Sequence, residues 1–287
     1  MYTEDSPQQT ATPLDEERVA PPATTPRDEL QRQHEWWLGW LEVAKALVLW
    51  ATSVMLLLTV PIINAVPYIV YRLASVGTSW MQTLASDKLL IFFSVLGVLP
   101  AHLITLGVIW VVLREGEQRS FWKDIGFEWP EGLTPVATSI ACVMLALVLF
   151  GLAQLVTYIY GERKTDLDLL IESSLYTRLA TAFIATATAP LIEEVVYRGV
   201  LYRALDKAAG VAVAVPVVSL LFAGVHVWQY RNNVAVIIVI TLLSIVLTVS
   251  RALTGKMLPA FIIHLAFNGI QSFFIALGGF IDTDLTR

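Results

Sequence analysis

The stretch PLIEEVVYRGVLY, residues 190–202, decides how this sequence is interpreted. It follows TRLATAFIATATA, residues 177–189, which is apolar enough to lie in lipid. Two adjacent carboxylates, Glu193 and Glu194, and the guanidinium of Arg198 are therefore expected inside a membrane-buried helix. Burying a charged side chain in a bilayer is expensive, and the residues that accept this cost usually have a function. We therefore expect this segment to carry the function of the protein.

The composition is that of a membrane protein. Hydrophobic residues make up 56% of the 287 residues and charged residues 15%, whereas a soluble domain has about 25% charged residues. Several apolar runs exceed the roughly 18 residues that indicate a membrane span, and they do not alternate as barrel strands do. We predict an all-α fold, a polytopic transmembrane helical bundle of seven to eight spans with a disordered N-terminal tail. The protein is expected to be a multi-pass protein of the cell membrane, embedded in the lipid bilayer.

The seven clear spans are separated by polar loops or turns. They are predicted at 41–63, 88–113, 135–159, 179–206, 212–229, 234–250 and 257–279. The stretch 64–87 is either an interfacial helix or an eighth span. With seven spans, the loops that carry more Lys and Arg lie on the side of the N-terminus, so the positive-inside rule predicts a cytoplasmic N-terminus.

Three regions are predicted along the chain. Residues 1–36 form an acidic tail with the composition of a disordered segment, and they account for the net charge of −5. Residues 37–119 form N-terminal membrane helices, and residues 120–287 form the membrane core that carries the function. The charge pattern does not suggest nucleic-acid binding, so no nucleic-acid partner is expected. The single cysteine, Cys142, excludes an internal disulfide.

The spacing within the fourth predicted span separates the roles of its charged residues. Glu194 and Arg198 are four residues apart, so they share a helix face and can pair. Glu193 points about 100° away from Glu194 and is left available. The alternative is that all three residues form a buried ion network that only fixes helix packing.

His226, near the end of the fifth predicted span, is expected at the same depth as Glu193. Both residues lie about sixteen positions from the turn near residues 209–210, which corresponds to about 24 Å along antiparallel helices. The two side chains can then share a water molecule, and a carboxylate with an imidazole can activate it by general-base action. The alternative is a core histidine bonded to a backbone carbonyl.

The seventh predicted span contributes His264 and Asn268, which are four residues apart on one face. An imidazole and a carboxamide can stabilise a developing oxyanion, although interhelical hydrogen bonding is the simpler alternative. His102 in the second span has no polar partner at helical spacing. It is interpreted as a packing or water-bonded residue, with a supporting role in the site as the alternative.

Three segments resemble the motifs of one protein family. EEVVYRG is similar to its EExxxR motif, FAGVH to FxxxH, and HLAFN to HxxxN. The family is the CPBP family, whose intramembrane proteases are related to the CAAX prenyl endopeptidase Rce and to bacteriocin-processing and Abi-type immunity proteins. The resemblance extends over roughly residues 120–280, and its three motifs occur in the family's order.

The resemblance implies roles for the motif residues. Glu193 would be the catalytic base, His226 would help to activate water, and His264 and Asn268 would form the oxyanion site. An alternative within the family is that Glu193, His226 and His264 bind a divalent metal. A glutamate with two histidines is a known zinc ligand set. The cofactor prediction is therefore open, with zinc as the metal alternative.

The remaining motif residues, Glu194 and Arg198, are implied to orient the helix or to contact substrate. The function predicted from all six residues is that of an intramembrane endopeptidase acting on a membrane-associated peptide or a prenylated protein. Two alternatives use the same polar core without proteolysis. One is a binding or immunity module, and the other is a proton-linked transporter, since transporters also place polar groups at the midplane. A third alternative is a structural scaffold in which the polar residues are individually dispensable.

Overall fold

A computed structural model describes residues 26–114, 120–161 and 163–285. These residues form helices joined by short connections and contain no strand. Of these residues, 38–114, 120–161 and 163–285 belong to one compact unit, and 26–37 belong to a second. Most of the predicted disordered tail, residues 1–25, lies outside the described residues. Residues 26–36, which the sequence analysis placed in the tail, are helical, and a proline in the first turn favours helix initiation.

The first helix is longer than the first predicted span. Helix α1 is Pro26–Val76 and continues through Pro61 and Pro67, because neighbouring groups in a membrane protein can compensate for the lost backbone bond. A 3-10 helix, Thr78–Ser86, follows. Residues 64–87 therefore complete α1 and form this short helix, and they do not make a separate span.

Asp87 joins the 3-10 helix to the next helix. Its carboxylate accepts hydrogen bonds from the Trp80 indole at 2.7 Å and the Tyr68 hydroxyl at 3.0 Å. It also accepts from the backbone amides of Leu89 and Leu90, so it caps the new helix. Burial alone would raise the pKa of Asp87. The hydrogen bonds to its carboxylate together lower the pKa by more, so the pKa lies below its ordinary value of 3.8.

Helix α2, Lys88–Leu96, and helix α3, Val98–Leu113, meet at Gly97, which lies against α1. A Cβ atom at Gly97 would lie 2.5 Å from the Cα of Pro61. Next to this contact, the Asn64 side-chain amide donates to the Phe93 carbonyl at 2.7 Å. A small residue at the crossing lets two membrane helices approach closely, so Gly97 sets the distance between them.

A short segment after α3 is bonded to the turn that precedes the last helix. It begins with helix α4, Phe121–Asp124. The backbone amide of Met257 donates to the Gly126 carbonyl at 2.6 Å, and Lys256 donates to Glu128 at 2.9 Å. These bonds hold the segment after α3 against the turn that leads into the last helix.

Two N-caps explain where the next helices begin. Helix α5, Pro135–Tyr160, starts after Thr134, whose hydroxyl accepts from the third residue beyond it. Helix α6, Asp166–Ser173, lies in a segment that the sequence indicated as a loop. Thr165 and Asp168 form a capping box there, in which two free backbone amides are satisfied reciprocally.

The helix that carries the first motif is not a regular α-helix. We call Leu175–Ala209 the motif helix. It consists of α7 (Leu175–Phe183), a first π segment (Ile184–Thr188), α8 (Ala189–Glu194), a second π segment (Val195–Leu201) and α9 (Tyr202–Ala209). π turns are rare and frequently occur at functional sites, and here they flank the two glutamates.

Three helices complete the fold. They are α10 (Val211–Tyr230), α11 (Val234–Thr254) and α12 (Leu258–Leu285). Helix α11 ends at Gly255, which adopts the left-handed conformation that glycine accepts without strain. Helix α10 packs along α11, and α12 packs against α5 and α11. The main core joins the second π segment to α10 and to the α4 region, with Val195, Leu201, Val218, Ile125 and Met257 fully buried.

The all-helical prediction is confirmed for the described residues, but the number of spans is not. Six described helices are long and apolar enough to cross a membrane. The apolar part of α10, Val211–Val227, is shorter than these six, and about 20 residues are needed to cross the hydrocarbon core. The predicted count of seven to eight spans is therefore not confirmed.

Candidate active site

A buried ion pair lies at the centre of the site. Arg198 and Glu194 have no exposed side-chain surface, and Arg198 Nη1 donates to Glu194 Oε1 at 2.9 Å. This is the pair that their spacing predicted. His264 Nδ1 lies 2.8 Å from the same oxygen, Glu194 Oε1. Since a carboxylate paired with arginine only accepts hydrogen bonds, His264 carries a proton on Nδ1, and this N–H donates a hydrogen bond to Glu194 Oε1.

The orientation of His264 brings it to the second carboxylate. Its other ring nitrogen, Nε2, lies 3.6 Å from Glu193 Oε2. The Glu193 side chain is 22% exposed, whereas that of Glu194 is fully buried. Glu194 is therefore bonded to Arg198 and His264 in the interior, and Glu193 remains accessible beside an imidazole nitrogen.

His226 reaches this group through an aromatic ring. Its Nδ1 lies 2.7 Å from the Phe222 carbonyl and donates to it, so Nε2 is the nitrogen with a free lone pair. The Phe222 ring lies 4.8 Å from the His226 ring and 5.9 Å from the His264 ring. The Arg198 guanidinium lies 4.8 Å from the same ring, a cation–π contact that supports both imidazoles. His226 is therefore bonded to the backbone, as the alternative had it, and its Nε2 makes no hydrogen bond within the part of the chain that the structure describes.

Asn268 is bonded to the motif helix rather than to the other motif side chains. Its Nδ2 donates to the Ala185 carbonyl at 2.9 Å. Ala185 lies in the first π segment, whose altered bonding leaves a carbonyl available to a side chain. The amide of Asn268 has a second N–H and an oxygen that this bond does not use.

His102 has a partner that its own helix did not reveal. It is buried, and its Nδ1 lies 2.9 Å from the hydroxyl of Thr188. Thr188 ends the first π segment, five residues before Glu193. His102 therefore contacts the motif helix close to the site, and the sequence-based interpretation as a packing or water-bonded residue missed this contact.

Two further residues of the site were not predicted. Ser244 and Thr248 of α11 are fully buried and bind the guanidinium of Arg198. Hydroxyl residues four apart are common in membrane helices, where they bond to their own backbone. The sequence therefore contained no signal that set these two apart.

A metal does not fit these side chains as they lie. Among the residues that the structure describes, no three His, Cys, Asp or Glu side chains are grouped to hold a metal ion. The set of Glu193, His226 and His264 is not such a group. The zinc alternative stays a prediction.

The comparison with known families identifies the part of the chain that carries this site. Residues 174–270 match the family model of the type II CAAX prenyl endopeptidase Rce1-like proteins. This segment is Rce1-like. The match confirms the resemblance to the CPBP family and contains all six predicted site residues. No curated protein and no solved structure matches the chain.

The family match and the helices together support the general function. An Rce1-like segment supports a CAAX-type intramembrane protease role, and the six apolar helices support an integral membrane protein. The match adds no support for a metalloprotease. Orientation in the membrane and the predicted boundary at residue 120 stay predictions.

Proposed function

We propose that this protein is an intramembrane endopeptidase that hydrolyses a peptide bond with water activated at Glu193. The observation that carries the proposal is the contact between the accessible Glu193 carboxylate and His264 Nε2 at 3.6 Å. The same imidazole is anchored on its other nitrogen by the buried Glu194. The proposal extends the protease role of the matched family to particular atoms.

The first step needs a water molecule placed between a base and a hydrogen-bond acceptor that orients it. Two atoms 3.6 Å apart can both bind one water oxygen at about 2.8 Å, an ordinary hydrogen-bond length. Glu193 takes one proton as the water oxygen attacks the substrate carbonyl, and His264 Nε2 holds the water in place. General-base catalysis of this kind contributes roughly 10²- to 10⁴-fold.

The second step returns that proton to the leaving group. Attack forms a C–O bond and a tetrahedral oxyanion, and collapse of the oxyanion breaks the C–N bond. The proton on Glu193 passes to the leaving amine, so that a carboxyl group and an amine are released. The free N–H of Asn268 is a donor for the oxyanion, and His264 donates only when both its nitrogens carry protons.

His226 is proposed to assist the attack. Its Nδ1 proton is held by the Phe222 carbonyl, which directs the lone pair to Nε2. The ring is partly exposed and stacks on Tyr230, with the ring centroids 6.4 Å apart. An imidazole fixed in this way presents Nε2 as an accessible hydrogen-bond acceptor that can orient the water or the substrate, while Glu193 takes the proton.

The proposed substrate is a peptide that reaches the site from the membrane. The matched family is named for a prenyl endopeptidase, so we propose a prenylated protein C-terminus as its class. A lipid-modified C-terminus partitions into the bilayer through its buried methylene groups, which would bring the scissile bond to the depth of the motif helix.

The proposal is tested by cleavage in liposomes that contain the full chain. The substrate is a farnesylated CAAX peptide with a fluorophore and a quencher on either side of the expected bond. We expect Glu193→Gln to lower kcat/KM by at least about 10²-fold, because the amide cannot accept the proton. The control is Glu172→Gln, since Glu172 lies on α6 with a side chain 49% exposed and should retain the wild-type rate.

Two outcomes would contradict the proposal. Equal cleavage by wild type and Glu193→Gln would exclude Glu193 as the base. No cleavage by wild type, either of the farnesylated peptide or of the same peptide without the lipid, would instead favour a binding or immunity module. Cleavage of both peptides at one rate would leave the protease function and reject the prenylated class.

A further inference from the structure

Helix α11 contributes two buried hydroxyl groups to the site, although it carries none of the motifs. Ser244 and Thr248 are four residues apart, so they lie on one face of the helix. Both have 0% relative exposure. Another threonine of the same helix, Thr241, is partly buried and bonds to the Ile237 carbonyl at 2.8 Å.

The two hydroxyls and one carbonyl hold the far side of the Arg198 guanidinium. Arg198 Nη2 donates to Thr248 Oγ1 at 3.2 Å and to Ser244 Oγ at 3.1 Å. It also donates to the Ser244 carbonyl at 3.0 Å, and Nε donates to Thr248 Oγ1 at 3.3 Å. Because the guanidinium is a planar fork, acceptors on one edge determine where its other edge points.

The other edge of the guanidinium holds the carboxylate that anchors His264. Glu194 Oε1 accepts from Arg198 Nη1 at 2.9 Å and from His264 Nδ1 at 2.8 Å. The second oxygen of Glu194, Oε2, is buried and has no hydrogen-bond partner within the described residues. The carboxylate is therefore oriented through one oxygen only, and that oxygen depends on the position of Arg198.

We propose that Ser244 and Thr248 are positioning residues for His264. They act through Arg198 and Glu194 and touch neither Glu193 nor the reacting atoms. Through this series of hydrogen bonds they keep the proton of His264 on Nδ1 and leave the lone pair of Nε2 on the side of Glu193. The consequence for cleavage rests on the proposed function, whereas the consequence for the His264 tautomer does not.

The double variant Ser244→Ala/Thr248→Val removes both hydroxyls and keeps the volumes nearly unchanged. In the liposome assay we expect kcat to fall by roughly ten- to a hundred-fold, because small misplacements of a catalytic group have effects of this size. KM should stay within about twofold, since substrate binding is not altered. Thr241→Val makes the same chemical change on the same helix and should retain wild-type kcat. Thr248→Ser keeps the hydroxyl and should also retain wild-type kcat.

The independent readout is the tautomer of His264 in the full chain, labelled with ¹⁵N-histidine in nanodiscs. The protein has four histidines, and the His264→Asn spectrum assigns the signal. We expect an Nδ1–H imidazole in wild type, Thr241→Val and Thr248→Ser, and a mixture of tautomers in the double variant. If the double variant does not fold, Thr248→Val alone retains the Ser244 contacts and should show a smaller change in the same direction.

The tautomer decides the proposal. An unchanged Nδ1–H signal in the double variant, or in Thr248→Val if only the single variant folds, would overturn the positioning role whatever the rates. A wild-type protein that cleaves neither peptide would overturn the proposed function, and the tautomer would still test the positioning role. A change of tautomer together with a loss of kcat in the double variant, with neither change in Thr248→Ser, supports both the positioning role and the proposed function.

Discussion

Replacing Arg198 with methionine should destabilise the protein far more than an ordinary loss of charge. The side chain is fully buried and donates to Glu194, Thr248 and Ser244. Its removal leaves the Glu194 carboxylate without its counter-charge in a low-dielectric interior. Breaking a buried ion pair by removing one partner costs about 3–5 kcal/mol, and we expect Arg198→Met to lower the free energy of unfolding by this amount.

The double variant Glu194→Gln/Arg198→Met separates pairing from packing. It has no uncompensated charge, and buried ion pairs replaced as a unit are often nearly neutral in stability. We therefore expect it to regain about 2 kcal/mol or more relative to Arg198→Met. The gain would show that most of the cost in the single variant comes from the unpaired carboxylate.

The assay is reversible unfolding by sodium dodecyl sulfate in mixed micelles, followed by circular dichroism. Arg114→Met is the control, because Arg114 is exposed and stacks on Trp110, where we expect a change below about 1 kcal/mol. A loss below about 1 kcal/mol for Arg198→Met would refute the reasoning, and so would a double variant less stable than the single one. Peptide cleavage by the double variant at the wild-type rate would favour the scaffold alternative.

Two further predictions concern the N-terminal helices. Gly97→Ala should destabilise the protein by about 1–3 kcal/mol in the same assay, because its Cβ would lie 2.5 Å from backbone of α1 and overpacking costs this much. Gly107→Ala has no atom within 4 Å of its Cβ and should be neutral; equal effects of the two would contradict the close contact. Asp87 has a lowered pKa, so its contribution to stability is present above pH 3.8 and is lost as the pH falls through its lower folded-state pKa. Hydrogen exchange should therefore show that the Leu89 and Leu90 amides open more readily at acid pH in wild type. Their opening free energy should depend little on pH in Asp87→Asn. Identical pH profiles for the two proteins would exclude the cap as the cause.

The parts of the site that sequence could predict are those with regular spacing. Residues four apart on a helix share a face in nearly any fold, and this made the pairing of Glu194 with Arg198 predictable. The same rule applies to Phe222 and His226, which are four residues apart and whose rings are in contact. Helical periodicity is thus sufficient for contacts within one helix.

Contacts between helices were not predictable in this way. Ser244 and Thr248 matter because α11 lies against Arg198, and Asn268 bonds to Ala185 because a π turn exposes that carbonyl. Neither packing nor π turns follow from local propensity, since tertiary context determines both. The continuity of α1 through its two prolines has the same cause, because local rules alone predict a break there.

The two π segments have a consequence for how the motif helix responds to changes in its length. A π turn contains about one residue more than an α turn, and each residue corresponds to about 100° of rotation. Ile184–Thr188 and Val195–Leu201 thus set the angular phase of α7 and α9 independently of the glutamates between them. Deleting one residue within Ile184–Thr188 would convert the π turn into an α turn and leave the orientation of α7 nearly unchanged, whereas deleting one residue from an α segment would rotate what precedes it by about 100°. The motif helix should therefore accommodate a one-residue deletion within a π segment better than the same deletion within α8, and residues that share a face across a π segment are spaced one residue further apart than in an α-helix.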